Sequence, residues 1–286
     1  MRTTNVPSRV PSFLLIGAMK AGTTSLYHYL RSHPQVFMPD EKEVMFFDPR
    51  HNWHRGIAWY QAQFADATDE QIALGEASTS YTKFPIVRQV PARIASVLPQ
   101  VRLIYVLRDP IERMQSHYLY AASRGKEWRP IERAFAEDAS YLNISRYALQ
   151  LDEYLPYFPL ERFLFIDSRD LRGHRRETLR KVFRFLGVND AWVPPTVDHE
   201  FFRSVERRMR SPVTRKLRRV PALATVARHT PRPVAALAKL LPTEAVDVGR
   251  ARISEEMRER LQRSLRDDVA RLKGYLPEGF DGWGIA

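Results

Sequence analysis

The chain of 286 residues contains no cysteine. That excludes disulfides, thiol nucleophiles, cysteine-ligated zinc and iron–sulfur clusters, and it fits a reducing compartment. A long hydrophobic run is also missing: no window approaches the ~18 apolar residues of a membrane span. The first twelve residues, MRTTNVPSRVPS, are polar and broken by proline, with no secretory pattern. The expectation is a soluble, cytoplasmic protein. Internal repeats and low-complexity tracts are absent. Acids are in deficit, 33 Asp+Glu against 45 Lys+Arg, for a net charge of +12. Most of the excess falls in one stretch. Across 203–239, eleven basic residues face a single acid, Glu206. Such a stripe suits nucleic acid, an anionic lipid surface, a polyanionic substrate or a phosphate-rich ligand, and equally a solvated face with no partner.

What is present is 44% hydrophobic content, enough for one large α/β domain. The apolar run 13–16, bounded by Gly17, reads as a buried strand. A helix over 24–32 follows, stopped by Pro34. Residues 101–107 form a second buried strand, after which Asp109 and Pro110 open a helix to about Arg124. Residues 163–166 read as a third strand. An amphipathic helix over 178–186 is closed by Gly187. This alternation predicts a parallel sheet flanked by helices on both faces. Ligands of such sheets bind at the carboxyl ends of the strands, where Gly17 and Arg108 stand. Pro212, Pro221, Pro231, Pro233 and Pro242 interrupt the basic stretch and exclude one long amphipathic helix there. Ile253, Met257, Leu261, Leu265, Val269 and Leu272 mark one face of a last helix, capped by Ser254. The expected architecture is a single domain over 1–286. It has a P-loop-like α/β core at about 11–190, then a basic, proline-interrupted segment and a C-terminal helix at about 200–286.

The most informative stretch is FLLIGAMKAGTTSLYHYL, 13–30. Gly17 and Gly22 match the first half of a phosphate loop, but Thr23, Thr24 and Ser25 follow where an ATPase has lysine and then Ser or Thr. The parts that hold an anion remain. Gly22 lets the backbone approach closely, successive N–H groups at a helix start point at bound oxygens, and hydroxyls add donors. The lysine that reaches β/γ-phosphates is missing, as is an obvious Asp to hold magnesium. The loop therefore suits one phosphate rather than a metal-bridged triphosphate. Lys20, inside the loop, can reach the oxygen joining that phosphate to a transferable group, where a cation stabilises a leaving group.

Three further segments follow in order: KEVMFFD at 42–48, GEASTSY at 75–81 and RDPIERMQSHY at 108–118. Together with KAGTTS at 20–25 they resemble the PAPS-dependent sulfotransferases, especially the bacterial relatives of the heparan-sulfate branch. The likeness runs from about 13 to 188. It implies that Lys20, Ala21, Gly22, Thr23, Thr24 and Ser25 cradle the 5′-phosphosulfate of 3′-phosphoadenylyl sulfate (PAPS), with Lys20 on the bridging oxygen. Glu43, in the family's K-E-x-x-F-F pattern, is implied as general base on the acceptor hydroxyl; read without the resemblance it is a surface carboxylate beside Lys42. Arg108 and Ser116, in R-(D/N)-P-x-x-R-x-x-S, are implied to bind the 3′-phosphate, and Arg113 to be structural. An arginine fork suits a phosphate dianion because it donates two parallel hydrogen bonds. The 75–81 segment resembles E-K-T/S-P-x-Y on the acceptor side, but its lysine position reads Ala77, which argues against a heparan-like acidic acceptor.

The implied activity is sulfuryl transfer from PAPS to a hydroxyl of a sugar, glycolipid or secondary metabolite. It would release adenosine 3′,5′-bisphosphate, with no metal, no nucleic acid and at most peripheral contact with anionic surfaces. Arg207, Arg208 and Arg210 fall where the family closes a basic loop over the donor. Trp59 and Tyr60 read as core, and His51 and His54 as surface residues rather than metal ligands. Two rivals stand beside this reading. One is a P-loop nucleoside or nucleotide kinase, which the absent lysine disfavours. The other is a basic protein that binds nucleic acid or a membrane surface through 203–239, where few aromatics are interleaved.

Overall fold

Buried apolar runs become the inner strands of one sheet. In the computed structural model, which describes residues 9–199, 208–210, 243–245 and 248–286, five parallel strands pair in the order β2-β3-β1-β4-β5. They are β1 (Phe13–Gly17), β2 (Val36–Phe37), β3 (Ala73–Ala77), β4 (Arg102–Leu107) and β5 (Phe163–Asp167). Every residue of β1 is buried, as a central parallel strand covered on both faces requires. From β1 the chain steps outward to β2 and β3 on one side, then returns to build β4 and β5 on the other. The order thus reverses between β1 and β4, the crevice where doubly wound sheets take their ligands.

The flanking helices are α1 (Thr23–Arg31), α2 (Gly56–Ala62), α3 (Val90–Val97), α4 (Pro110–Ser123), α5 (Ile131–Glu137), α6 (Ser140–Asn143), α7 (Tyr147–Asp152), α8 (Ser168–Gly173), α9 (Arg175–Leu186) and α10 (Glu255–Lys273). The expected α/β architecture is present, and the expected elements appear within a few residues of their predicted bounds. Asp109 caps α4 by accepting the amides of Ile111 and Glu112 at 2.8 and 2.9 Å, and Gly187 ends α9 in the left-handed conformation. Strands β2 and β3 were not foreseen. β6 (Arg208–Arg210) and β7 (Thr243–Ala245) form an antiparallel pair. Apart from these strands, the basic stretch lies outside the described residues, and with it Arg207.

Two apolar clusters hold the layers together. The larger surrounds the sheet. The smaller joins α4 and α5 to α10, with Ile111, Met114, Leu119 and Ile131 packed with Leu261, Leu265 and Val269. Ser254 caps α10 through the Met257 amide at 3.2 Å, and the predicted stripe faces inward. Asp268, on the same helix, accepts the amides of Ala148 and Leu149 at 3.1 and 2.9 Å and so caps α7. Among the described residues no helix is long and apolar enough to cross a membrane.

Candidate functional site

The loop after β1 is drawn tightly onto its neighbours. A Cβ at Gly17 would stand 2.1 Å from Oγ1 of Thr82, so only glycine fits there. Gly22 adopts φ 106, a left-handed conformation that glycine takes without steric cost, and it heads α1 with no side chain capping the first turn. The leading amides of such a helix lack intrahelical acceptors and present partial positive charge. Thr23 and Ser25 are buried in that turn, and Thr24 is partly exposed. The Ala21 amide turns back to the Ala18 carbonyl at 3.1 Å. The ammonium of Lys20 lies 4.8 Å from the centre of the Tyr120 ring on α4.

Arg108, directly after β4, closes the crevice from the other side. Its Nη1 donates to the Lys20 carbonyl at 3.3 Å, while Nε and Nη2 hold Glu112 at 3.1 and 2.9 Å. The Tyr147 hydroxyl donates to the Arg108 carbonyl at 2.7 Å. Ser116 is buried two turns along α4. Arg113, on the same helix, is fully buried. It donates to Ser145 Oγ at 2.6 Å, to the Tyr141 carbonyl at 2.8 Å and to the Met19 carbonyl at 3.5 Å. It thus ties α4 to the first loop, and burial lowers its pKa to about 10. Two arginines therefore grip consecutive carbonyls of that loop.

Glu43, in the loop after β2, is held at the same edge of the sheet by the end of β3. Its amide donates to the Ala77 carbonyl at 2.9 Å. Its carboxylate accepts the Thr79 amide at 2.8 Å, the Thr79 hydroxyl at 3.1 Å and the Lys42 ammonium at 2.6 Å. It is therefore a positioned group and not a loose surface carboxylate. Phe46 and Phe47 behind it are buried, and Phe46 stacks on Tyr60 with centroids 4.2 Å apart. Tyr60 is core, as expected, and Trp59 packs partly buried beside it. Burial pushes the Asp48 carboxyl up, but hydrogen bonds from Arg50, with the charges of Arg50 and His51, outweigh this and hold it below its ordinary range. His51 is occupied by that pairing at 3.1 Å.

No motif announces the network behind Glu43. The buried Glu76 carboxyl accepts the Tyr81 hydroxyl at 2.5 Å, Ser78 at 2.6 Å and Tyr60 at 3.4 Å. Burial pushes its pKa up to about 7 against those donors, and the Glu43 charge pushes the same way. Tyr81 and Ser78 lie in the Glu76 motif, but Tyr60 arrives from α2, and no spacing rule links it. The structure thus brings Lys20, the 21–25 turn, Arg108 and Glu43 to the carboxyl ends of β1, β4 and β3. Ser116 stands on the helix that leaves Arg108.

The sulfotransferase domain model matches residues 11–221. Heparan sulfate glucosamine 3-O-sulfotransferase 6 of Homo sapiens is 34% identical over 192 residues, 63% of this chain and 53% of that protein. Bifunctional heparan sulfate N-deacetylase/N-sulfotransferase 3 of Homo sapiens is 33% identical over 201 residues, 63% of this chain and 22% of that protein. The chain thus spans about half of the first relative and about a fifth of the second. A sulfotransferase from Alicyclobacillus acidocaldarius shares the fold, with a TM-score of 0.70 at 22% identity, over 96% of this chain and 99% of that one. The match to the domain model covers most of the chain and includes every motif gathered at this sheet edge: the chain belongs to the sulfotransferase family.

Proposed function

We propose that the chain is a PAPS-dependent O-sulfotransferase acting on a hydroxyl of a carbohydrate, glycolipid or other small-molecule acceptor in the cytoplasm. The observation that carries this reading is the contact between Arg108 and the Lys20 carbonyl at 3.3 Å. It sets an uncapped helix start and an arginine fork side by side, which suits a nucleotide phosphorylated at both its 5′ and 3′ ends. In this reading residues 21–25 hold the 5′-phosphate, and Arg108 with Ser116 holds the 3′-phosphate. Glu43 accepts the proton of the acceptor hydroxyl as its oxygen bonds to sulfur. Lys20 stabilises the charge left on the phosphate oxygen as the old sulfur–oxygen bond breaks. Adenosine 3′,5′-bisphosphate is the second product. Positioning and electrostatics supply most of the rate, as in phosphoryl transfer. The two heparan sulfate relatives support a carbohydrate acceptor. Ala77, which leaves the end of β3 without a cation, favours a less acidic chain than theirs.

Thermal melting with adenosine 3′,5′-bisphosphate tests the donor site. Ligand at ~100 times Kd adds about 2.7 kcal/mol of stability, and no shift at millimolar ligand overturns the reading. Transfer of sulfur-35 from PAPS into a host extract tests the chemistry. Lys20→Ala and Glu43→Ala each lose about 10²-fold or more of the labelled product while melting near the wild type. Unchanged labelling by Glu43→Ala removes it from the base role.

A further inference from the structure

The 3-10 turn Thr79–Thr82 joins the two halves of the crevice. At its start Thr79 holds the Glu43 carboxylate, and at its end the Thr82 hydroxyl donates to the Ile16 carbonyl at 3.1 Å, beside Gly17. The next residue, Lys83, is half-buried. Phe84 after it is clamped on both backbone groups by the Gln150 side chain, at 2.8 and 3.0 Å. Lys83 therefore stands on a fixed backbone between Glu43 and the first loop.

Its ammonium makes no hydrogen bond and no ion pair among the described residues. The nearby carboxylates are already matched: Glu43 with Lys42, Asp48 with Arg50, Glu112 with Arg108. Arg113 bonds only neutral oxygens. His117 lies within the field of Arg113, Lys83 and Lys20. Burial first, then those three cations, keep it neutral and drive its pKa to about 2, and its buried Nδ1 has no partner among the described residues. Burial lowers the pKa of Lys83 as well, against the attraction of Glu43 and Asp48. Lys83 and Arg113 thus bring positive charge into partly and fully buried surroundings, with no carboxylate paired to either among the described residues. A cation in such surroundings is costly until an anion joins it. Ala77 is buried and adds no charge from β3.

We infer that Lys83 is a catalytic residue whose ammonium holds the non-bridging oxygens of the sulfuryl group in transfer, between Lys20 at the departing oxygen and Glu43 at the incoming one. Lys83 keeps its proton throughout and forms no covalent bond. Its hydrogen bonds to those oxygens are charge-assisted. The inference rests on the donor reading proposed above and adds a contact to the sulfuryl group itself.

Calorimetric titration of the full chain with two ligands, adenosine 3′,5′-bisphosphate and PAPS, separates the possibilities. Lys83→Ala should bind the bisphosphate as the wild type does and bind PAPS about tenfold or more weakly. Lys83→Arg should recover part of that loss, which a purely structural role would not produce. If Lys83→Ala weakens both ligands equally, or neither, the assignment fails. Lys83→Met, an uncharged unbranched side chain of similar length, gives the same comparison should the alanine variant fold poorly. A wild type that binds neither ligand overturns the donor reading together with this one.

Discussion

Burial pushes the Glu76 carboxyl up to about 7, outweighing the three hydroxyls that donate to it. An exposed glutamate in the unfolded chain titrates near pH ~4.3. Between the two values the folded protein binds the extra proton, so raising the pH through that window removes stability. The contribution is complete below the unfolded value and lost as pH passes about 7, a difference of about 4 kcal/mol. Glu76→Gln keeps a neutral side chain in the same pocket, so the fall in melting temperature between about pH 5 and pH 7 should shrink. Superimposable profiles for variant and wild type would rule Glu76 out as the source. Lys20, Arg108 and Glu43 were legible in the sequence because each sits in a motif with fixed spacing. Tyr60 and Lys83 were not, since what gives them meaning is the fold bringing them to Glu76 and Glu43.

At the scale of elements, β3 was the hardest to read. Its sequence, ALGEA, has neither an apolar run nor alternation, yet it lies between β2 and β1. Gly75 explains part of this. A Cβ there would lie 2.2 Å from the Phe13 ring, so the strand gives up a side chain to let β1 pack its phenylalanine. Gly75→Ala should lower stability by about 1–3 kcal/mol, read as a lower urea midpoint with an unchanged slope. An unchanged midpoint would mean that Phe13 has room to turn away. Strands β1, β4 and β5 were legible because buried parallel strands read as continuous apolar runs. The apolar stripe of α10 was equally plain, but the role of Asp268 was not. The same residue type on a helix's polar face and at a neighbour's first turn looks identical until the two helices are side by side.

On the scale of the whole molecule, α10 lies beyond the matched domain, yet it packs against α4, the helix that carries Arg113 and Ser116. Leu265 is fully buried at that contact. Leu265→Ala should cost about 2–5 kcal/mol in thermal melting and also weaken the bisphosphate, because α4 loses its backing. Normal affinity in a destabilised variant would mean that α4 holds its place without α10. The surplus of basic residues, so prominent in composition, falls mostly outside the described residues, while the candidate site draws on a few cations near the sheet.

The grip of Arg108 and Arg113 on neighbouring carbonyls of the first loop means that its shape is partly borrowed from the segment after β4. The two halves of the crevice share a tether. A ligand long enough to engage both tightens each through the other, and a fragment that engages one half forgoes that mutual bracing.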